Sequence, residues 1–424
     1  MTPELGYRDG VLHFEDVSLE AIASACGTPT YVYSKAHFVH RYRMLDGALA
    51  AMPHRICYAV KANSNLGVLR VFAELGAGFD IVSGGELERV LAAGGTPEQV
   101  VFSGVGKSTA EIAFALKCGI GCFNVESAAE LDRLEQEATR VGRRASVALR
   151  VNPDIDAQTH PYISTGLKRN KFGVPAQAAR ALVDRIVRSP HLDFRGVGCH
   201  IGSQIATPAP LIEALERIVD LVDDLEHAGI AVEHVDLGGG LGVSYRDEPE
   251  FDLETYARAI GQRLNGTGLT LLLEPGRYLV ANGGLLLTRV EYLKPAASAG
   301  ARNFAVVDAA MNDLIRPTLY SAWHAIEPVR AATKARSTWD VVGPVCESGD
   351  FLALDRELDL EPGALLAILT AGAYGFVQSS NYNSRDRAPE VIVDGAGFRV
   401  VRRRETLRDQ LALESATGAA SVSR

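Results

Sequence analysis

Eight short apolar runs, each separated from the next by a stretch of helical periodicity, recur through the first two thirds of this 424-residue chain. They are RICYAVKA (55–62), GFDIVS (78–83), VVFSGV (100–105), GCFNVES (121–127), ASVALRVNP (145–153), FRGVGCHIG (194–202), VEHVDLGGG (232–240) and LTLLLEPGR (269–277). Between them lie amphipathic segments such as GELERVLAAG (85–94), AAELDRLEQEATRVG (128–142) and APLIEALERIVDLVDDLEHAG (209–229), with charge on one face and glycine near the end. The apolar runs are continuous rather than alternating, which suits strands covered on both faces. Strand and helix alternating eight times predict a parallel (β/α)8 barrel over about residues 36–285.

Beyond residue 286 the texture changes. LLTRVEYLKP (286–295), NFAVVDAAM (303–311), TWDVVGPVCES (338–348), ALLAILTAGAYG (364–375) and EVIVDGAGFRVVRRRE (390–405) are β-rich, with turn signals and no long helical connectors. This predicts a second, antiparallel β-barrel or sandwich domain over 286–412. The opening segments GYRDGVLHFEDVSL and TPTYVYS are strand-like as well, so residues 1–35 are expected to add strands to it. The small, polar end, 413–424, is expected to be disordered.

Composition excludes several classes of function. A formal net charge of −9 argues against nucleic acid as a partner, because phosphate backbones need a basic surface. The opening MTPELGYRDG has neither a basic nor an apolar leader region, and no apolar stretch is long enough to span a bilayer. Six cysteines at 26, 57, 118, 122, 199 and 346 form no disulfide framework. Cys118 and Cys122 have no second pair nearby, so no metal site is expected there. A reduced, cytoplasmic setting follows.

In such a barrel the chemistry sits at the C-terminal ends of the strands. Lys61 closes the first run, Asp80 and Ser83 flank the end of the second, His200 and Ser203 close the sixth, Gly238, Gly239 and Gly240 the seventh, and Glu274 with Pro275, Gly276 and Arg277 the eighth. Each has two readings. Lys61 can snorkel to solvent, or serve as a Schiff-base nucleophile whose pKa desolvation and neighbouring cations depress. The glycine run can be a tight turn, or a place before a helix where backbone N–H groups approach a phosphate with help from the helix dipole. Glu274 can pair with Arg277 as a buried salt bridge, or face a cofactor ring nitrogen. His200 can be a satisfied core histidine or a catalytic one. Cys346 can be an ordinary thiol, or a proton donor whose acidic neighbours Glu347 and Asp350 favour the protonated form.

Taken together, YAVKANSN around Lys61, HIGSQ (200–204), DLGGGLG (236–242), EPGR (274–277) and CESGD (346–350) resemble the fold-type III pyridoxal-phosphate decarboxylases over nearly the whole chain. HPYISTGLKRNKFGV (160–174) and MNDLIRPTLYSAWH (311–324) resemble the branch that acts on meso-diaminopimelate rather than on ornithine or arginine. The resemblance implies pyridoxal 5'-phosphate as cofactor, held by Lys61 as a Schiff base, with His200 stacked on its ring and Asp80 beside it. Ser203, Gly238–Gly240 and the Pro275–Arg277 turn would hold the phosphate, and Glu274 would face the ring nitrogen. It further implies that Arg277, Arg316 and Tyr320 bind substrate and that Cys346, Glu347 and Tyr374 complete the site. Cys346 and Glu347 would come from the second subunit of a homodimer with shared active sites. The expected reaction is decarboxylation to L-lysine and carbon dioxide.

The residue types suit that chemistry. Loss of carbon dioxide leaves an electron pair at Cα that the cofactor ring accepts, while the protein orients and polarises. An acid at the ring nitrogen, Glu274, favours the protonated ring, whereas a barrel racemase would be expected to place an arginine there. The remote end of the substrate carries a second carboxylate and ammonium, which Arg277, Arg316 and Glu347 match in charge. A decarboxylase of ornithine or arginine, a racemase and a non-catalytic cofactor-binding relative are the competing readings.

Overall fold

Each of the eight apolar runs forms a strand, and the strands close on themselves. The computed structural model describes residues 2, 4–156, 165–167, 170–298, 300–332 and 335–414. In it β1 (His54–Ala59), β2 (Gly78–Ile81), β3 (Val100–Phe102), β4 (Cys122–Val125), β5 (Ala145–Asn152), β6 (Leu192–Gly198), β7 (His234–Asp236) and β8 (Thr270–Leu273) pair in parallel, each with the next. β8 pairs with β1 and closes the barrel. Small interior side chains make closure possible: Cys57, Val101, Cys122, Ala148 and Leu272, from five different strands, form one buried cluster.

The helices begin where the local chemistry tells them to. α1 (Lys35–Leu49) precedes the barrel, and α2 (Leu66–Glu74), α3 (Gly84–Ala92), α4 (Thr109–Cys118), α5 (Ala128–Val141), α6 (Ala176–Arg188), α7 (Ala209–His227) and α8 (Leu253–Leu264) follow its strands. Ser83, Ser108 and Ser127 each cap a helix by accepting from the backbone N–H of a glutamate three residues on, Glu86, Glu111 and Glu130. At Ser108 the Glu111 carboxylate reaches back to the cap N–H, completing a capping box. Gly119 and Gly142 end α4 and α5 in the left-handed conformation that glycine adopts without penalty. No helix follows the glycine run at 238–240 directly. The chain runs without helix until Asp252 caps α8, so no helix dipole acts there.

The chain divides into two compact units. One comprises residues 35–283 with 372–377, the barrel and a short returning segment; the other comprises 1–34, 284–371 and 378–424. In the second unit the strand Thr30–Ser34 lies between Gly284–Lys294 and Glu390–Asp394, so N-terminal chain does complete the C-terminal sheet. The sheet is mostly antiparallel rather than wholly so: Thr30–Ser34 runs parallel to Glu390–Asp394, and Phe304–Val307 parallel to Ser337–Val342. Strands from the N-terminus (Leu5–Arg8, Val11–Phe14) pack Leu12 and Phe14 against Leu285, Leu287, Val391 and Val393 of this sheet. Of the expected disordered tail, Leu413 and Glu414 end a helix (Leu407–Glu414), and the rest lies outside the described residues.

The barrel floor contains a group that ties folding to pH. His234 opens β7 and is buried, its Nε2 has no hydrogen-bond partner, and Gly196 of β6 leaves no room for a Cβ against the ring. Burial pushes its imidazole down to about 4, with Arg55 and Arg195 acting in the same direction and Glu233 opposing them. The folded chain therefore holds a neutral ring that the unfolded chain would protonate first. His234 should contribute its full stability above about 6.5 and lose it as pH falls to about 4, a loss of roughly 3 kcal/mol. Urea unfolding midpoints at pH 7 and pH 4 check this: the drop in the wild type should exceed the drop in His234→Gln.

Candidate active site

Every barrel strand delivers one polar side chain to the C-terminal mouth. They are Lys61 just past β1, Asp80 in β2, Ser103 just past β3, Asn124 in β4, Arg150 in β5, His200 past β6, Asp236 ending β7 and Glu274 following β8. Lys61 sits in a single 3-10 turn (Val60–Ala62), and its Nζ donates to Asp80 Oδ2 at 2.5 Å. Asp80 is wholly buried, whereas about a third of the Lys61 side chain (35%) remains exposed. Burial pulls the Lys61 ammonium down, but the charges of Asp80, Glu274 and Tyr374 and the bond to Asp80 outweigh it, so its pKa is raised. This reverses the depressed value expected from sequence. The groups beside the amine are acids, not cations.

Glu274 does not pair with Arg277. Its Oε1 accepts from Ser103 Oγ at 3.2 Å and from Asn124 Nδ2 at 3.1 Å. The same Asn124 nitrogen donates to Asp236 Oδ2 at 3.1 Å, and the Gly238 N–H donates to Asp236 Oδ1 at 2.8 Å. Burial raises both carboxyls, and the charge of Asp236 beside it raises Glu274 further. Asp80 adds to the rise at both, while Lys61 opposes it at Glu274. Glu274 is therefore held as the acid, far above the ordinary carboxylate range.

His200 is fixed by the glycine run. The Gly239 N–H donates to His200 Nδ1 at 3.1 Å, which leaves any ring proton on Nε2. Burial, then the nearby cations Arg150 and Lys61, keep this imidazole neutral by lowering its pKa well below the usual value. Arg150 is itself held by Glu126 at 3.0 Å, and Glu126 also accepts from the N–H groups of Gly104 and Gly173. The glycines are required by close approach: a Cβ at Gly238 would lie 2.6 Å from His200 Nδ1, and one at Gly239 2.3 Å from the Glu274 carbonyl oxygen. Arg277 is buried beside this loop, donating to Ser203 Oγ at 3.0 Å and to the Tyr245 hydroxyl at 2.6 Å. Its guanidinium lies 4.8 Å from the centre of the Tyr374 ring. Tyr374 reaches the barrel on the 372–377 segment, which is bonded to it through Tyr374 N to Ala62 O, Asn63 Nδ2 to Gly372 O and Gly372 N to Ala281 O.

The remaining expected residues lie in the other unit and cluster there among themselves. Arg316 opens a short helix (Arg316–Tyr320), is buried, and donates to His324 Nε2 at 3.4 Å. The Tyr320 hydroxyl accepts from Gln378 at 3.4 Å. Cys346 and Glu347 are exposed on a loop whose shape Asp350 dictates, since its two oxygens accept from Met311 N and Val345 N at 2.7 Å each. Thr318 Oγ1 donates to the Gly349 carbonyl at 2.6 Å, joining that loop to the Arg316 helix. Glu347 accepts from the Tyr382 hydroxyl at 3.0 Å.

Sequence reasoning found Lys61, Asp80, His200, the glycines and Glu274 at the barrel mouth, but not Ser103, Asn124, Arg150 or Asp236. The signal available was one polar residue inside each of four apolar runs, VVFSGV, GCFNVES, ASVALRVNP and VEHVDLGGG. Of the segment 160–174, residues 160–164, 168 and 169 lie outside the described residues. The donor set at the mouth fits a pyridoxal-type cofactor: Ser103, Asn124, Arg150, His200, Asp236 and Glu274 converge on one small cavity, with a neutral imidazole and a protonated acid among them. A partly exposed amine stands at the end of the adjoining strand.

Comparison with known proteins agrees. Residues 35–281 match the family model for the pyridoxal-binding domain of the pyridoxal-dependent decarboxylases. The chain is 59% identical to a diaminopimelate decarboxylase of Pseudomonas aeruginosa, covering 96% of this chain and 98% of that one. Identity to the Vibrio cholerae protein of the same name is 54%, over 96% and 97%. A crystal structure of diaminopimelate decarboxylase from Helicobacter pylori complexed with L-lysine superposes with a TM-score of 0.89 at 44% identity, covering 93% of this chain and 98% of that chain.

The Lys61–Asp80 pair makes a direct prediction. In cofactor-free protein carrying carbon-13 methyl labels on its lysines, the Lys61 signal should titrate above the ordinary 10.5. Asp80→Asn should bring it down by about one unit or more. An unchanged titration would mean that Asp80 does not set the charge of this amine.

Proposed function

The chain belongs to the diaminopimelate decarboxylases, pyridoxal-phosphate-dependent carboxy-lyases, and from that premise we propose how its own residues convert meso-diaminopimelate to L-lysine and carbon dioxide. The observation that carries the reading is one barrel mouth holding both an amine, Lys61, and a protonated acid, Glu274. Pyridoxal phosphate, when bound, supplies the carbonyl that takes up an amine and the ring that accepts the electron pair left by departing carbon dioxide.

Lys61 would hold the cofactor covalently, with Asp80 taking or passing on its ammonium proton. His200 would offer its neutral, flat face to the ring. Gly238, Gly239, Gly240, Ser203 and the Pro275–Gly276–Arg277 turn would hold the phosphate through backbone N–H and hydroxyl donors. Glu274 would favour the protonated form of the ring nitrogen, which strengthens the pull on the electron pair. Arg277, Arg316, Tyr320 and Tyr374 bind the substrate's carboxylates, Glu347 its distal ammonium, and Cys346 delivers a proton to Cα after carbon dioxide has left. Binding the remote end by charge orients the bond that breaks.

Two assignments extend this reading. The active enzyme is a homodimer in which Cys346 and Glu347 are contributed by the second subunit; their exposure on a stiffened loop supports this. It works in the cytoplasm, a reading supported by six cysteines that are all unpaired. No described helix is long and apolar enough to cross a membrane.

Purified protein supplied with pyridoxal phosphate should release carbon dioxide from meso-diaminopimelate, with L-lysine as product, and not from L-ornithine, L-arginine or L-lysine. Release from ornithine or arginine in its place would overturn the roles of Arg316 and Glu347. Sharing of the site has a separate check. Lys61→Ala and Cys346→Ala, each inactive alone, should recover about a quarter of wild-type activity when mixed, because half the dimers then carry one intact site. No recovery would put Cys346 in the same chain as the Lys61 it serves.

A further inference from the structure

Asp236 has no part in the roles just described, yet it is the group most tightly tied to Glu274. Both side chains are buried at the ends of neighbouring strands, and a single amide nitrogen, Asn124 Nδ2, lies 3.1 Å from an oxygen of each. The donors are shared out unequally. Asp236 has a donor on each oxygen, the Gly238 N–H on Oδ1 and Asn124 on Oδ2, whereas the Ser103 and Asn124 donors of Glu274 both meet Oε1. The arrangement solvates an anion at Asp236 and leaves Glu274 Oε2 as the place for a proton.

We propose that Asp236 is a positioning residue that keeps a proton on Glu274 in the empty site and releases it to the cofactor's ring nitrogen on loading. The proposal rests on the reading that this nitrogen faces Glu274. The step balances within the site: the Glu274 O–H bond breaks, an N–H bond forms on the ring, and no proton enters from solvent. The ring is left cationic beside two carboxylates, whose charge the donors of Ser103, Asn124 and Gly238 support.

The surroundings supply no competing counter-charge. Asp80 faces both carboxyls, and Lys61, which faces Glu274, is bonded to Asp80. The thiols of Cys57, Cys122 and Cys199 and the Tyr256 hydroxyl face Asp236 and stay neutral, since burial raises all four. Arg150 is engaged by Glu126, and His200 is neutral. Without the Asp236 charge, Glu274 has less reason to hold a proton and the ring nitrogen has one anion fewer to stabilise it.

The test uses holoenzyme reconstituted with pyridoxal phosphate labelled with nitrogen-15 in the ring, its shift followed against pH. In Asp236→Asn the ring nitrogen should lose its proton about one pH unit or more below the wild type, an at least tenfold easier loss, with the cofactor still bound. Glu274→Gln should shift it as well. A Glu274→Gln profile equal to the wild type's would refute the placement of the nitrogen. A shift in Glu274→Gln with none in Asp236→Asn would refute the role of Asp236 alone. Should Asp236→Asn not fold, infrared spectra of the wild type decide the matter. Cofactor-free protein should show a carboxylic-acid carbonyl band that is absent from Glu274→Gln and disappears when pyridoxal phosphate is added. The absence of such a band, or its persistence on loading, would overturn the proposal.

Discussion

A carboxyl group inside a closed barrel has only the barrel's own atoms to answer it, and that constraint organises the whole mouth of this protein. Four acids stand there, and each is answered differently. Asp80 is paired with Lys61; Glu126 takes Arg150 and two backbone N–H groups; Asp236 and Glu274 share the Asn124 amide, with Ser103 and Gly238 supplying further donors. An uncompensated charge at such depth costs about 3–5 kcal/mol, comparable to a large share of a domain's net stability. The partners are therefore not interchangeable decorations. Seven of the eight strand-end groups are bonded into these sets, and changing one leaves another exposed to the desolvation penalty it was spared.

The glycine run and His200 follow from the same crowding. With polar side chains converging from eight strands, the loop after β7 must pass within contact of the β6 and β8 ends, and only residues without a Cβ can do so. The Gly239 N–H then meets an imidazole held neutral by burial and by two cations. A protonated ring there would lose its acceptor nitrogen and face Arg150 and Lys61 as a third positive charge. Geometry and charge thus agree on one tautomer.

Much of this was legible in the sequence, for reasons particular to its elements. Continuous apolar runs separated by serine-capped helices leave little choice but a parallel barrel, and Lys61, His200 and Glu274 stand out because they close such runs. Asn124, Arg150 and Asp236 escaped because they sit within or at the very end of strands, where a polar residue reads as an interruption of the pattern. Only closure shows that Asn124 of β4 meets Asp236 of β7 across the interior. The charge on Lys61 was misread because a one-dimensional pattern gives no sign of which neighbours a side chain acquires. The parallel pairing of Thr30–Ser34 with Glu390–Asp394 escaped for the same reason: the two are separated by more than three hundred residues.

Where protons are stored matters as much as where charges are. At the mouth Lys61 holds its proton with the Asp80 carboxylate beside it, and Glu274 holds one because of burial first and the charge of Asp236 second. Lys61 must give its proton up before its nitrogen can form a bond, so Asp80 stabilises the resting amine at the expense of its nucleophilicity. In the role proposed for it, Glu274 would give its proton up to the ring nitrogen. A site whose acids were all ionised would have to draw the second proton through a mouth closed by bound cofactor. One that starts with the proton in place needs only a transfer between neighbouring atoms. Placing a second carboxyl behind the first, despite their mutual repulsion, is the arrangement that would serve such a transfer.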